Sequence, residues 1–131
     1  MDEKLMVLIV DDERDICWAL ESILRQMGLR PVSVTNAEMA LKHLQSIPFK
    51  LAFVDVKLPD MDGIKLARLV RKTFPYLPMV LISGYYYRDD PTIQEELGKL
   101  FVDFIEKPFD IKEIRRVVQK ALPSISIEKI P

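Results

Sequence analysis

The stretch Lys50–Gly63, KLAFVDVKLPDMDG, decides how the rest of the chain is read. Leu51 to Val54 is an apolar run of strand length, and Asp55 follows where a buried strand runs out into loop. Pro59, Asp60, Asp62 and Gly63 then force a sharp turn before any helix begins. The expectation is a carboxylate, Asp55, exposed on a rigid ledge at the mouth of a sheet.

Working outward, the same pattern recurs. Leu5 to Val10 is a second apolar run of strand length, and the acidic triplet Asp11, Asp12, Glu13 follows it directly. From Arg14 to Met27, the residues Ile16, Leu20, Ile23, Leu24 and Met27 share one helical face, with Gly28 at the C-cap. Pro31 to Val34 reads as a strand, and Asn36 caps a helix with Ala37, Ala40, Leu41 and Leu44 inward. Beyond Gly63, a helix carries Leu66, Leu69, Val70 and Phe74 inward until Pro75 stops it. Pro78 to Ile82 is a strand ending in Ser83 and Gly84. Tyr85 to Tyr87 form a loop, and Asp90 and Pro91 open a helix with Ile93, Leu97, Leu100 and Phe101 on its buried face. Val102 to Ile105 is the last strand, leading to Glu106, Lys107 and Pro108. Asp110 and Glu113 form a capping box for a final helix with Ile111, Ile114, Val118 and Ala121 inward.

Strands alternating with helices in this way predict an α/β fold, a doubly wound parallel sheet in a single domain, because parallel strands need right-handed crossover helices. Residues 1–122 form that domain, and 123–131 read as a C-terminal tail or linker stump, since SISIEKIP has no helical period. At 131 residues there is room for one ordinary core. The balance of 19 basic and 20 acidic residues excludes nucleic-acid binding by bulk charge. One cysteine, Cys17, and one histidine, His43, exclude disulfide frameworks, zinc clusters and a histidine-based triad within the chain. LMVLIV is far too short to span a membrane and the acidic start MDEK is no signal peptide, so the expected compartment is the cytoplasm, with no membrane association.

In doubly wound sheets the ligand crevice lies at the carboxyl ends of the strands. Asp11, Asp12, Asp55, Ser83 and Lys107 all fall there, from four different strands. Neighbouring carboxylates repel, and a hard divalent cation with oxygen ligands, Mg²⁺, neutralises them at least cost. A phosphoryl group completes the set: Asp55 is the nucleophile, Lys107 pairs with a phosphoryl oxygen, and the Ser83 hydroxyl donates to another.

Taken together, the acidic pair Asp11 and Asp12 after an apolar strand, Asp55 at the third strand's end, the run Pro59 to Gly63, then Ser83 and finally Lys107 with Pro108, resemble the receiver domain of bacterial two-component response regulators. The resemblance covers about Leu5 to Leu122. It implies a flavodoxin-like (βα)5 sheet of strand order 2-1-3-4-5 and phosphorelay signalling, in which Asp55 accepts phosphate from a sensor histidine kinase or phosphotransfer protein. It implies that Asp11, Asp12, Asp55 and the backbone carbonyl of Lys57 hold Mg²⁺, and that Lys107–Pro108 is a cis peptide. It implies a switch in which Ser83 moves toward the phosphoryl group and Phe104 rotates inward, controlling an output domain or partner protein, with a homodimer as a further expectation. Lys57 and Tyr85, two residues beyond Asp55 and Ser83, occupy positions that in similar domains flank the path of the hydrolytic water, so they are expected to govern phosphate lifetime. Where similar domains carry glycine and alanine ahead of the fifth strand, this chain has Leu100 and Phe101.

Simpler readings stand beside these. Asp11 and Asp12 also suit a helix cap, and Lys112, Arg115, Arg116 and Lys120 read as a solvated face. A phosphotransferase or phosphatase with an aspartate nucleophile is the alternative in another class, but it needs a second acid two residues after the nucleophile, where this chain has Lys57. A docking-only receiver is disfavoured because no site residue is missing. The expectation is therefore a phosphoacceptor switch rather than an enzyme, promoting only its own phosphorylation and dephosphorylation. Neither a helix-turn-helix nor an ATPase segment is read here, so this domain is not expected to bind nucleic acid directly.

Overall fold

The computed structural model describes residues 4–123; of the expected tail, all but Pro123 lies outside them. The apolar runs become five strands, β1 (Met6–Val10), β2 (Arg30–Val34), β3 (Leu51–Asp55), β4 (Met79–Ser83) and β5 (Asp103–Glu106). They pair in parallel in the order β2-β1-β3-β4-β5, as the resemblance implies. β3 and β4 are buried at every position, as expected of parallel strands covered on both faces.

Side chains alternate between the two faces and so divide the core. Val7, Ile9, Phe53, Val80 and Ile105 pack with Leu20 and Leu24 of α1 (Arg14–Gln26) and Ile114 and Val118 of α5 (Ile111–Ala121). Leu8, Val10, Val54, Leu81 and Phe104 face the other way. They pack with Ala40 of α2 (Ala37–Ser46), Leu66 and Val70 of α3 (Gly63–Thr73) and Ile93 of α4 (Pro91–Glu96). The chain winds one way from β1 to β2 and the other way from β1 to β3, so the strand order reverses between β1 and β3. Asp11 follows the first of these strands and Asp55 ends the second, which puts both at the point where such sheets open into a crevice.

Caps account for helix starts. Asn36, Asp90 and Asp110 accept hydrogen bonds from Met39 N (2.8 Å), Thr92 N (2.9 Å) and Glu113 N (2.8 Å). Three helical faces differ from the periodic reading. Leu69 is exposed, because α3 buries Ile64 and Ala67 beside Leu66 and Val70. Ile111 is also exposed, and α5 buries Val117 beside Ile114 and Val118. α4 stops at Glu96, short of the expected Leu97, Leu100 and Phe101. Gly98 has φ +86, a left-handed conformation that no helix continues through, and its N–H donates to Phe101 O at 2.8 Å. Phe101 reaches the core through this turn instead.

β5 opens on a buried carboxylate, Asp103, at 2% exposure. Arg88 donates to it at 2.7 Å, and Arg116 and Lys120 approach to 3.3 and 3.5 Å, so part of the face read as solvated is turned onto a buried acid. Burial would raise the Asp103 pKa, but the Arg88 hydrogen bond, the Phe104 amide and the surrounding cations outweigh it and hold the carboxyl below its ordinary range. A carboxyl depressed in the folded state contributes stability above its unfolded pKa of about 4 and loses that contribution as pH falls through the folded value. Asp103→Asn should therefore cost about 2 kcal/mol at pH 7, less than a fully buried pair because the cations can return to water. The deficit should shrink below pH 4, as urea unfolding at the two pH values will measure.

Candidate functional site: an acidic pocket closed by one lysine

Asp11 is wholly buried just past β1. Its Oδ1 accepts from Glu13 N at 2.8 Å in the turn before α1, but Glu13 is the N-cap and no side chain caps this helix, so Asp11 belongs to the pocket and not to a helix cap. Its Oδ2 lies 2.8 Å from Lys107 Nζ, an ion-pair contact too oblique for a hydrogen bond, and is otherwise an orphaned buried oxygen. Lys107, directly after β5, also reaches Glu13 Oε1 at 2.7 Å and Asp55 Oδ2 at 3.4 Å. Burial pulls the Lys107 pKa down, but its contacts with Asp11 and Glu13 and the charge of Asp55 prevail, and the ammonium is held above its usual range.

Asp55 is 4% exposed, not the exposed ledge expected from its neighbours in sequence. The N-terminus of α3 is pressed against it so closely that a Cβ on Gly63 would lie 1.9 Å from the Asp55 backbone oxygen, which only glycine permits. Lys107 covers the other side. Burial first, and then the charge of Asp11, raise the Asp55 pKa to about 6. Asp12 is exposed at the rim, and carboxylate oxygens of Asp11, Asp12 and Asp55 lie within 4.8 Å of one another, a group that could hold a metal ion. This all-oxygen donor set fits a hard divalent cation.

Ser83 ends β4 almost fully buried, and its Oγ accepts from Tyr85 N (2.9 Å) and Tyr86 N (3.1 Å), which leaves the hydroxyl proton to donate. The Lys107–Pro108 peptide is cis. Phe104 is already fully inward, in the cluster with Leu81 and Ile93. The sequence places Lys57 and Tyr85 on different loops, and the structure joins them: Lys57 Nζ sits 3.7 Å above the centre of the Tyr85 ring.

Two residues escape sequence reasoning. Glu13, read only as part of an acidic triplet, is a partner of Lys107. Asp60, read only as a turn residue, ties its loop to α2. Both act across long sequence separations, so only the position of Glu13, directly beside the acidic pair, carries a signal.

A family profile described as the response regulator receiver domain matches residues 7–119. The chain belongs to that family. Among curated relatives, the response regulator protein PilR of Pseudomonas aeruginosa is 36% identical over 88% of this receiver and 25% of its own length. The DNA-binding transcriptional regulator NtrC of Proteus hauseri is 29% identical over 98% of this chain and 27% of its own. The receiver thus spans about a quarter of the length of the curated relatives it matches. The crystal structure of the NtrX receiver domain from Brucella abortus is 32% identical, with a TM-score of 0.80 over 90% of this chain and 98% of that one. That of the response regulator TrrA from Thermotoga maritima in complex with Mg²⁺-BeF is 25% identical, with a TM-score of 0.79 over 90% and 99%.

A carboxyl whose pKa is raised on folding opposes folding once ionised. For Asp55 the penalty is absent below the ordinary carboxyl range and complete only above about pH 6. In metal-free protein, Asp55→Asn should therefore be more stable than the parent at pH 7.5 by roughly 2–3 kcal/mol. The gain should disappear as pH falls toward 4, as urea unfolding in chelator will measure.

Proposed function

We propose that this receiver takes a phosphoryl group onto Asp55 from a phosphohistidine of a sensor histidine kinase or phosphotransfer protein. The observation that carries this reading is the meeting of Asp11, Asp55 and Lys107 in one buried pocket at the sheet's switch point. A carboxylate oxygen of Asp55, ionised at neutral pH, forms the new bond to phosphorus as the phosphorus–nitrogen bond breaks and imidazole leaves with the electron pair. Lys107 turns toward a phosphoryl oxygen as its exposed contact with Glu13 yields, and Ser83 donates its hydroxyl proton to another. Asp11, Asp12, Asp55 and the backbone carbonyl of Lys57 would hold Mg²⁺; the similar TrrA receiver was solved with Mg²⁺-BeF, and such an ion neutralises charge on carboxylates and phosphoryl oxygens alike.

The output is a conformational change. A phosphoryl group offers strong acceptors that draw Ser83 inward, shifting a pre-existing equilibrium in which Phe104 and the α4–β5 region take part. Relatives named as transcriptional regulators support an output domain that acts on DNA, with this domain itself not touching nucleic acid. No described helix is long and apolar enough to cross a membrane. Lys57, standing where a phosphatase would carry its second acid, supports a switch rather than a turnover enzyme.

Incubation with acetyl phosphate and Mg²⁺ should add one phosphate to the parent protein by intact mass and none to Asp55→Asn. A variant that gains phosphate at the parental rate would refute the assignment.

Lys57 and Tyr85 should set the lifetime of that state. The contact between them supports this, because a joined pair flanking the path of an in-line hydrolytic water would obstruct it. An exposed cation–π contact is worth about 0.5–1 kcal/mol, so opening it should speed dephosphorylation by roughly two- to fivefold. Lys57→Ala and Tyr85→Ala should each do so, and the double variant little more than either. Unchanged rates in all three would end the occlusion model.

A further inference from the structure

The segment from Lys57 to Met61 carries the backbone carbonyl assigned above to the metal. Its base is closed by an antiparallel bridge between Lys57 and Asp62, and Asp62 caps α3 by accepting from Ile64 N at 2.7 Å and Lys65 N at 3.3 Å. Its apex is held differently. Asp60 reaches across to α2, where Oδ1 accepts from Ala37 N at 2.9 Å and Oδ2 from Glu38 N at 3.0 Å.

Ala37 and Glu38 are the first two residues of α2, so their N–H groups have no acceptor within the helix. Asn36 satisfies a third, that of Met39. The two caps are not equivalent. Asn36 belongs to the chain entering α2, whereas Asp60 comes from the β3–α3 loop and ties that loop to α2 by hydrogen bonds. Using both carboxylate oxygens fixes the orientation of the loop apex as well as its distance, and the positive end of the helix favours the charge. The Ala37 and Glu38 amides hold the Asp60 carboxyl below its ordinary range. Leu58 and Met61 also rest against the core, but apolar contact restrains position and not the rotation of a peptide plane.

We propose that Asp60 is a positioning residue: by clamping the loop apex to the first turn of α2, it holds the Lys57 carbonyl in the orientation a cation bound by Asp11, Asp12 and Asp55 needs. Mg²⁺ demands near-ideal octahedral geometry, so a ligand that must be ordered on binding lowers affinity. The inference rests on the metal reading above.

Calorimetric Mg²⁺ titration of the full chain, with amide exchange of the metal-free protein, tests it. Asp60→Ala should weaken Mg²⁺ binding by about tenfold, the low end of what losing an outer-shell partner costs. Exchange at Ala37 and Glu38 should accelerate, and Asp60→Asn, which keeps one acceptor, should fall between. Asn36→Ala, which frays the same helix end without releasing the loop, should lower the unfolding midpoint and leave Mg²⁺ affinity unchanged. Parental affinity in Asp60→Ala, or an equal loss in Asn36→Ala, overturns the proposal. If the parent binds no Mg²⁺, or Asp11→Asn binds as the parent does, the metal assignment itself falls and takes this inference with it.

Discussion

One ammonium group holds the functional end of this molecule together. Lys107 Nζ stands within ion-pair distance of Asp11, Glu13 and Asp55, two of them buried, where unpaired charge is expensive. A single cation cannot neutralise three acids. Burial and mutual repulsion therefore push the Asp55 carboxyl up toward neutrality, and the pocket remains short of positive charge. The residual imbalance suits a group that could hold a divalent cation, and in the proposed function the same lysine would pair with a phosphoryl oxygen. On the proposed reading, stability and reactivity are opposed at this point: the arrangement that strains the folded protein would also make Asp55 ready to react.

The sheet makes such an arrangement possible without loops having to fold precisely. Asp11, Asp55, Ser83 and Lys107 sit at or one residue past the ends of four adjacent strands whose register is fixed by parallel ladders. Parallel strands buried on both faces have little freedom to slip, because a shift of one residue would turn each apolar side chain to the wrong face. The pocket thereby inherits the rigidity of the core. Parts expected to move lie outside the ladders, in the loop from Gly84 to Asp90 and the short α4.

Much of this was legible in the sequence because strand ends announce themselves: an apolar run terminates, and a charged or hydroxylic residue follows. Asp55 and Lys107 could be located in this way, though not that Asp55 is buried, since its cover comes from Gly63 and Lys107 at different distances along the chain. Helical phase was less legible. α4 has an apolar period that runs on through Leu97, Leu100 and Phe101, but the positive φ of Gly98 overrides it, and Phe101 is buried through a turn. Asp103 reads as an ordinary strand-opening acid, and only the folded chain gathers Arg88, Arg116 and Lys120 around it. Apart from helical phase, what sequence reading misses is a polar contact between elements, for which apolar periodicity carries no signal.

The partners of Lys107 differ in how readily they can release it, and burial ranks them. Asp11 is fully buried and Asp55 nearly so, and neither can replace the lysine with water; the Glu13 side chain is 61% exposed and can. An exposed ion pair is worth about 0–1 kcal/mol, whereas stripping the partner from a buried carboxylate costs several times that. On the reading proposed above, a phosphoryl group arriving on Asp55 would bring its own negative charge beside the lysine. The contact expected to yield is then the one to Glu13, with Asp11 still held. Lys107 can thus turn toward a phosphoryl oxygen without leaving the pocket.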